Sequence, residues 1–441
     1  MSANDPTEVL AAGRIILPGA TLATPEQRLL EERAIAICRR AEIAAARARI
    51  EALFKADRNA RLAGQDAVIA RSAEEHVMHA ALIAASETPL SPRFVWTIAM
   101  AREWLGLQVP GSRFGQDNPD NVYRFASVDP ALSYRISGRF VVAPPTDFSI
   151  CSLPAQVGEG IAADVRGFIA RDTLDVDAAG HFEILVDGTA TDGRRNHLSI
   201  AGARVLMVRD TLVDWDGERP SWLHIERLDD HTPAAGDGFE LERAAFRAAD
   251  LAVTIASFFL ERVQHGMCET GPLNTVPAPV SSAARGGLVS QAATLGYYRL
   301  GDDEAWVLTI DRLGARYLGV QICDMWMLSY DYGRRTSSLN HHQALPDDDG
   351  RYRLVVSAAD PGVHNWLDGS GAGIGTILLR WQGIPADADF ASGATAELIK
   401  ISELRAHLPA ETRYLDGKAR EEQQARRYRA YRRRLAAGTV E

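Results

Sequence analysis

The chain has 441 residues but only four cysteines, Cys38, Cys151, Cys268 and Cys323. They are widely spaced and form no C-x-x-C pair, which argues against a disulfide framework or a zinc knuckle and fits a reducing cytoplasm. Long apolar runs are equally scarce. The longest, LAVTIASFFL from Leu251 to Leu260, is about half of what a membrane span requires. The first residues, MSANDPTEVLAAGRIILPG, lack the basic start and apolar core of a secretory signal. Positive charge is also short: a net charge of −10 and a pI near 5.6 argue against general nucleic-acid binding, which relies on basic surface. No G-x-S-x-G elbow, H-E-x-x-H helix or S-x-x-K set occurs, so any hydrolytic site must be one recognised by geometry.

What is present is an ordinary globular composition. An apolar share of 46% with 24% charged residues can bury a sizeable core, and the length suggests two domains or one large domain with helical additions. From Pro25 to about Ala60 apolar residues recur three and four apart, with Thr24 as N-cap and Pro25 at the first helical position. Further helices are expected at Ala67–Ala85 and around Arg93–Leu105, which makes residues 1–108 a helical unit. After Pro110 short β-branched and aromatic segments alternate with Asp/Gly turns, giving a first β block over 109–238. Helical periodicity returns over 239–286, a second β block follows over 287–400, and the tail, 401–441, carries the basic helix KAREEQQARRYRAYRRRLA. The fold class is therefore α+β, with β-sandwich or jelly-roll-like antiparallel sheets in two blocks. The two blocks could form halves of one sandwich or two separate sheet domains, and no exact internal repeat is visible.

Several strings carry chemistry. GSGAGIG, Gly369 to Gly375, leads into a strand and so reads as an inter-strand loop in place of a phosphate cradle. QDNPDNVYR, Gln116 to Arg124, offers oxygen ligands that suit calcium, but also the sequence of ordinary Asx turns. Cys323 to Gln343 places Trp326, Tyr330 and Tyr332 in strand alternation, with Asp324 beside them and Arg334, Ser338, Asn340 and Gln343 following; this could be the wall of a pocket or a sheet-to-sheet core. In DPGVHNWLD, Asp360 to Asp368, the Asp-Pro-Gly start has the chemistry of a type II turn. His364 with one of His341 and His342 could hold a divalent metal, although imidazoles and acids that satisfy turn backbone explain the same residues. The tail helix could meet RNA or a membrane surface, and docking onto the body or a partner subunit fits the compensating acidic charge.

DNPDNVYRFASVDPALSYRISG, SLNHHQ and DGRYRLVVSAADPGVHNWLDGSGAGIGTILLRWQ resemble the bacterial family catalogued as domain of unknown function 1214, over roughly Gln116 to Arg434. The resemblance implies a β-rich, jelly-roll-like fold and no general activity. The family's pattern does not characteristically carry histidine at positions 341, 342 and 364, so a metal site there would be peculiar to this chain.

The expected function is an enzyme acting on a hydrophobic small molecule by hydrolase or lyase chemistry, without an organic cofactor. Its pocket would be lined by Trp326, Tyr330, Tyr332, Trp366 and Trp381. Asp360 or Asp331 would serve as acid or base, Arg380, Asn340 and Asn365 would stabilise an oxyanion, Tyr330 would join the catalytic set and Gln343 would bind substrate. One alternative is a non-catalytic β-sandwich that binds a ligand or joins a complex, including a homo-oligomer. Another is metal-dependent oxygenase or hydrolase chemistry at His364 and His342. Neither nucleic acid nor a membrane span is expected.

Overall fold

The computed structural model describes residues 20–61, 65–141, 143–159, 164–229, 237–281, 291–385, 387–389 and 393–435. The ends of the expected 239–286 and 401–441 segments, and the first 19 residues, lie outside the described residues. Contacts divide the chain into two compact units. One comprises Met1–Phe114, Asn121–Phe258 and Arg432–Glu441, and the other Gly115–Asp120 and Phe259–Tyr431.

In the first unit the expected Thr24 cap holds: its side chain accepts a 3.1 Å bond from Gln27 N, with Pro25 opening helix α1 (Pro25–Cys38). The single long helix expected up to Ala60 is instead two, because Arg40 adopts an extended backbone (ψ 150°) and starts α2 (Ala41–Ala56). Helix α3 (Gln65–Ser86) follows, and α4 (Leu241–Phe258) packs against both α2 and α3 through its alanine-rich face. The helix expected around Arg93–Leu105 is absent. That stretch forms strands β1 (Val95–Trp96), β2 (Arg102–Trp104) and β3 (Leu107–Val109). Val95, Trp96, Thr97 and Ile98 favour extended backbone, and the left-handed pair Leu105 (φ 52°) and Gly106 (φ 76°) closes a two-residue hairpin between β2 and β3.

The first β block supplies β4 (Asn121–Ser127), β5 (Tyr134–Arg139), β6 (Asp147–Leu153), β7 (Gly167–Ala170), β8 (His181–Asp187), β9 (His197–Ser199), β10 (Val205–Thr211) and β11 (Trp222–Arg227). They form sheets in the orders β1-β4-β10-β6-β7 and β11-β5-β8-β9. The sheets share one core, with Ile150, Leu206 and Val208 facing Ile136, Phe182 and Ile184. The second unit has β12 (Val280–Ser281), β13 (Gln291–Arg299), β14 (Glu304–Ile310), β15 (Tyr317–Cys323), β16 (Ser338–Asn340), β17 (Tyr352–Ser357), β18 (Trp366–Asp368), β19 (Ile374–Gln382) and β20 (Ala394–Lys400). Their orders are β12-β13-β19-β15-β16 and β18-β17-β14-β20. Each β block is thus a sandwich with its own core, the second built on Trp306, Leu308, Val320, Leu354, Leu379 and Trp381.

Taken in chain order, the nine strands β1 and β4–β11 map one to one onto β12–β20 with the same neighbours. In both, the single parallel pair among the described residues is the sixth strand with the seventh: β8 with β9, and β17 with β18. Side chains repeat the match. Asn196 Oδ1 accepts from Asp175 N (2.7 Å) and its Nδ2 donates to Asp175 O (2.8 Å). Asn365 Oδ1 accepts from Leu345 N (2.9 Å) and its Nδ2 donates to Leu345 O (2.8 Å). Turns Asp177–Gly180 and Asp347–Gly350 close with the same backbone bonds, and Gly180 (φ 83°) and Gly350 (φ 79°) take the left-handed position in each. The chain is an internal duplication of a nine-strand sandwich, with few identical residues left to reveal it.

Among the described residues helix α5 (His265–Thr270), α6 (Leu404–His407) and α7 (Gly417–Leu435) complete the set. The basic tail helix docks on its own chain. Arg420 and Arg427, seven residues apart, are buried: Arg420 pairs with Asp360 (2.8 Å) and Arg427 donates to Tyr332 O (2.5 Å) and Ser338 Oγ (2.6 Å).

Candidate functional site

Strand alternation sorts the second sandwich's five-stranded sheet into an apolar inner face and a polar outer one. Leu318, Val320, Ile322, Ile377, Leu379 and Trp381 point into the core, while Tyr317, Gln321, Thr376, Arg380 and Asn340 lie on the opposite face. The segment Gln116–Asp120 covers that face. Tyr317 Oη donates to Asp120 Oδ2 (2.8 Å) and Asn118 Oδ1 (3.1 Å), and Asn340 Nδ2 donates to Asp120 Oδ1 (2.9 Å). Gln321 Nε2 reaches Asp117 O (2.6 Å), and Arg380 donates to Gln321 Oε1 (2.5 Å) and to Gln116 O. Burial, then the neighbouring Asp120 carboxylate, pushes the Tyr317 phenol well above its usual pKa, so it stays a neutral donor.

Arg380 and Asn340 do converge, but on a loop whose backbone and carboxylates consume their donors. The DNPD string behaves as an Asx turn, with Asn118 Oδ1 accepting from Asp120 N at 3.0 Å. Among the described residues no group of three or more His, Cys, Asp and Glu side chains is arranged to hold a metal ion.

Gly319 shows how tightly this face is built. A Cβ there would sit 1.8 Å from Tyr317 Oη, because the phenol ring lies along the strand to reach Asp120. Gly319→Ala should therefore expel Tyr317 from its bonds and cost about 1–3 kcal/mol by overpacking. Urea unfolding reads this, and an unchanged midpoint would contradict it.

The other expected site residues are dispersed. Tyr330 and Trp381 belong to the sandwich core, and Trp381 Nε1 donates to Asp311 O (2.8 Å). Trp366 lies in a separate cluster with Leu404 and Leu408, its Nε1 donating to Ser357 O (3.2 Å). Trp326 is buried with its backbone N bonded to Asp324 Oδ1 (2.9 Å), and the Tyr332 ring meets Tyr431 edge-on at 5.7 Å. The aromatic alternation thus signals core. Neither the cleft along β11 nor the cleft around His364 is lined by Trp326, Tyr330, Tyr332, Trp366 or Trp381.

Asp360 is corrected as well. It accepts from Gly362 N (2.8 Å) across the expected turn, where Gly362 takes φ 78°, and its other oxygen is held by Arg420. Asp331 closes an exposed turn through Arg334 N (3.1 Å) and pairs with the Arg334 side chain (3.0 Å). Gln343 Oε1 accepts from Arg427 (3.0 Å), and His342 N bonds Asn340 Oδ1 (3.0 Å) within the turn after β16. The proposed catalytic set Asp360, Asp331, Tyr330 and Arg380 is not brought together.

His364 and Asn365 do reach a cavity. A cleft of about 230 Å³ is lined by His364, Asn365, Asp347, Arg353, Glu411 and Arg413, among others. Asn365 Nδ2 donates to Leu345 O (2.8 Å) and Arg353 O (3.0 Å), which fixes the amide so that Oδ1 faces His364 Nδ1 at 3.1 Å. The ring must then carry its proton on Nδ1, and Nε2 holds the lone pair. Burial lowers the His364 pKa, Arg413, Arg420 and Arg426 reinforce the effect, and only the Asn365 bond opposes it, so the ring is neutral at neutral pH. Burial raises the Asp347 carboxyl against the pull of Arg353, 2.7 Å away. Sequence reasoning singled out His364 but not Asp347, Arg353 or Glu411, because the strands and turns that carry them become neighbours only in the folded sandwich.

The first unit has a larger cleft of about 620 Å³, lined by Thr21–Gln27, Leu90–Phe94, Arg124 and all of edge strand β11.

No family model matches the chain, and no curated protein matches it. Among solved structures, a crystal structure of an uncharacterized protein from Burkholderia cenocepacia is similar at a TM-score of 0.69 and 25% identity, covering 82% of this chain and 96% of that one. The VPA0106 protein from Vibrio parahaemolyticus matches at a TM-score of 0.39 and 11% identity over 65% of this chain and 90% of that one. The chain shares the fold of the Burkholderia protein, an α+β arrangement of antiparallel sheet blocks with helical additions.

Proposed function

We propose that the chain is an enzyme that carries out acid–base chemistry on a small polar molecule in the cleft around His364. One observation carries this reading: a neutral imidazole, its tautomer fixed by the Asn365 amide, lines a cavity together with acidic and cationic side chains. His364 Nε2 is the base, and it either takes a proton from carbon, as a lyase does, or activates water, as a hydrolase does. Arg413, which lines the cleft, would bind an anionic group of the substrate. At about 230 Å³ the cleft is smaller than the ~300–1,000 Å³ of drug-sized sites, so the substrate is small, and the charged lining makes it polar rather than hydrophobic. The kinship to domain of unknown function 1214 is proposed on the strength of the DNPDN and DPG-x-NWLD strings. A reducing, cytoplasmic setting is supported by Cys38, Cys151, Cys268 and Cys323 forming no disulfide, and among the described residues no helix is long and apolar enough to cross a membrane.

The test is substrate depletion from a mixture of small carboxylic acids, amides and amines. Wild type and Asp360→Asn should deplete the same compound, and His364→Gln should lose about 10²-fold or more of that rate. Binding without turnover in all three would sink the enzyme and favour a ligand-binding protein, the second reading, for which the 620 Å³ cleft of the first unit is of suitable size. Metal-dependent chemistry at His364 and His342 finds no support in the described residues, where no group of three or more His, Cys, Asp and Glu side chains could hold a metal ion. Stoichiometric iron, zinc or manganese in the purified protein would revive it.

A further inference from the structure

The duplication exposes a second constellation, in the first unit. In the second sandwich the strand after the parallel crossover places Trp366, which closes on Ser357 O. The equivalent position in the first sandwich, opposite Leu185 in the same parallel register, is His197. His197 Nε2 lies 3.1 Å from Asp187 Oδ1 and its Nδ1 lies 3.0 Å from Thr191 Oγ1. The second sandwich builds the same crossover without an imidazole, so the topology does not require this set.

The protonation pattern follows from the partners. Partial burial would raise the Asp187 carboxyl, but bonds from the Thr189 hydroxyl (2.5 Å) and N–H (2.8 Å) and from His197 hold it down to about 2. An ionised carboxylate only accepts, so His197 carries its proton on Nε2 and presents a lone pair on Nδ1 to the Thr191 hydroxyl. The His197 side chain is 2% exposed, whereas Thr191 is half-buried on the loop and within a substrate's reach. Arg194, on the same loop, donates to Thr189 Oγ1 (2.7 Å) and to Thr191 O (2.9 Å from its backbone N). A nucleophile, a base within hydrogen-bond reach and a group orienting the base are the parts of covalent acyl transfer.

We propose that Thr191, His197 and Asp187 form a nucleophile–base–carboxylate set that hydrolyses small esters. Thr191 Oγ1 attacks the ester carbonyl carbon and its proton passes to His197 Nδ1, while Asp187 stabilises the imidazolium. The ester C–O bond then breaks and the leaving oxygen takes that proton to depart as an alcohol. Water, deprotonated at the same Nδ1, attacks the acyl-threonine, and the carboxylic acid leaves as Thr191 regains its proton. The sum is ester plus water giving acid plus alcohol, with no redox change.

The full chain should release p-nitrophenol from p-nitrophenyl acetate and, on acid quenching, carry an acetyl group on the peptide containing Thr191. Thr191→Ala should lower kcat/KM by about 10²-fold or more and abolish that adduct, and Thr191→Ser should retain both. His197→Gln should lose activity, and thermal melts of the threonine variants, at a half-buried loop position, keep folding and chemistry apart. The acetyl group on Thr191 separates this site from the one around His364, where a base that activates water forms no acyl-enzyme. Undiminished release by Thr191→Ala, or acetyl groups on Lys55, Lys400 or Lys418 with none on Thr191, would overturn the proposal.

Discussion

Glu31→Ala should lower the stability of the first unit by about 3–5 kcal/mol, the range found when one partner of a buried ion pair is removed. Glu31 and Arg102 have side chains 0% and 1% exposed and are paired directly. The carboxylate also accepts from Gln27 Nε2 (2.9 Å) and Trp104 Nε1 (2.7 Å). Gln27 in turn locks the Trp96 backbone, accepting from its N (2.8 Å) and donating to its O (3.1 Å). The guanidinium lies over both the Trp96 and Trp104 rings, 4.8 and 4.9 Å from their centroids. Truncation at Glu31 leaves that cation buried with no counter-charge, since the indole faces attract it but supply no carboxylate. Glu32→Ala, one residue on, removes only an exposed pair with Arg28 and should change stability by no more than ~0.5 kcal/mol. Denaturant unfolding of the two variants checks the contrast, and equal losses would refute it.

The second large effect is acid destabilisation through α3. His76 and His79 sit one turn apart in its buried face, His76 Nδ1 against Ser72 O (2.7 Å) and the His79 ring against Phe114 with centroids 4.2 Å apart. Burial, then the neighbouring His76, pushes His79 down to about 3, and burial lowers His76 as well. Both are neutral in the fold and bind protons only after unfolding. Above the unfolded pKa of about 6.5 the two states hold the same protons, so these groups make no pH-dependent contribution there. As pH falls below that value the unfolded chain gains protons that the fold refuses, and stability drops until the folded pKa is reached. For His79 the loss between pH 7 and pH 5 is about 2 kcal/mol, and His76 adds in the same direction. Urea midpoints at the two pH values should therefore move less in His79→Leu than in wild type. A pH dependence identical in the two proteins would show that His79 does not titrate as its burial requires.

Local chemistry in the chain was enough for the helix start at Thr24-Pro25, the extent of α3, the turn Asp360-Pro361-Gly362 and the division into two β blocks. These depend on residues within a few positions of one another: a capping hydroxyl, a proline at the first helical position, a glycine with positive φ, and alternation along a strand. The dockable tail helix was also visible, as charge on a helical period. Its buried stripe was not, because Arg420 and Arg427 are distinguished from the other arginines only by Asp360, Tyr332 and Ser338 far away in the chain.

Tertiary structure decided the rest. Alternation in β15 and β19 shows that their side chains separate onto two faces, but only strand order reveals that Arg380 and Asn340 flank Gly319 and meet the Gln116–Asp120 loop, or that Tyr330 and Trp381 fill the interior. Strand partners are set by long-range pairing and core packing, which local propensity does not encode. For the same reason the duplication was invisible. Two sandwiches need the same alternation and the same turn chemistry, not the same residues, so Trp366 and His197 occupy one topological position with different consequences. The sequence by itself determined where strands, turns and helices form; the fold determined which histidine meets a carboxylate and a hydroxyl, and which lines a cleft, because those contacts join segments that only the sheet brings side by side.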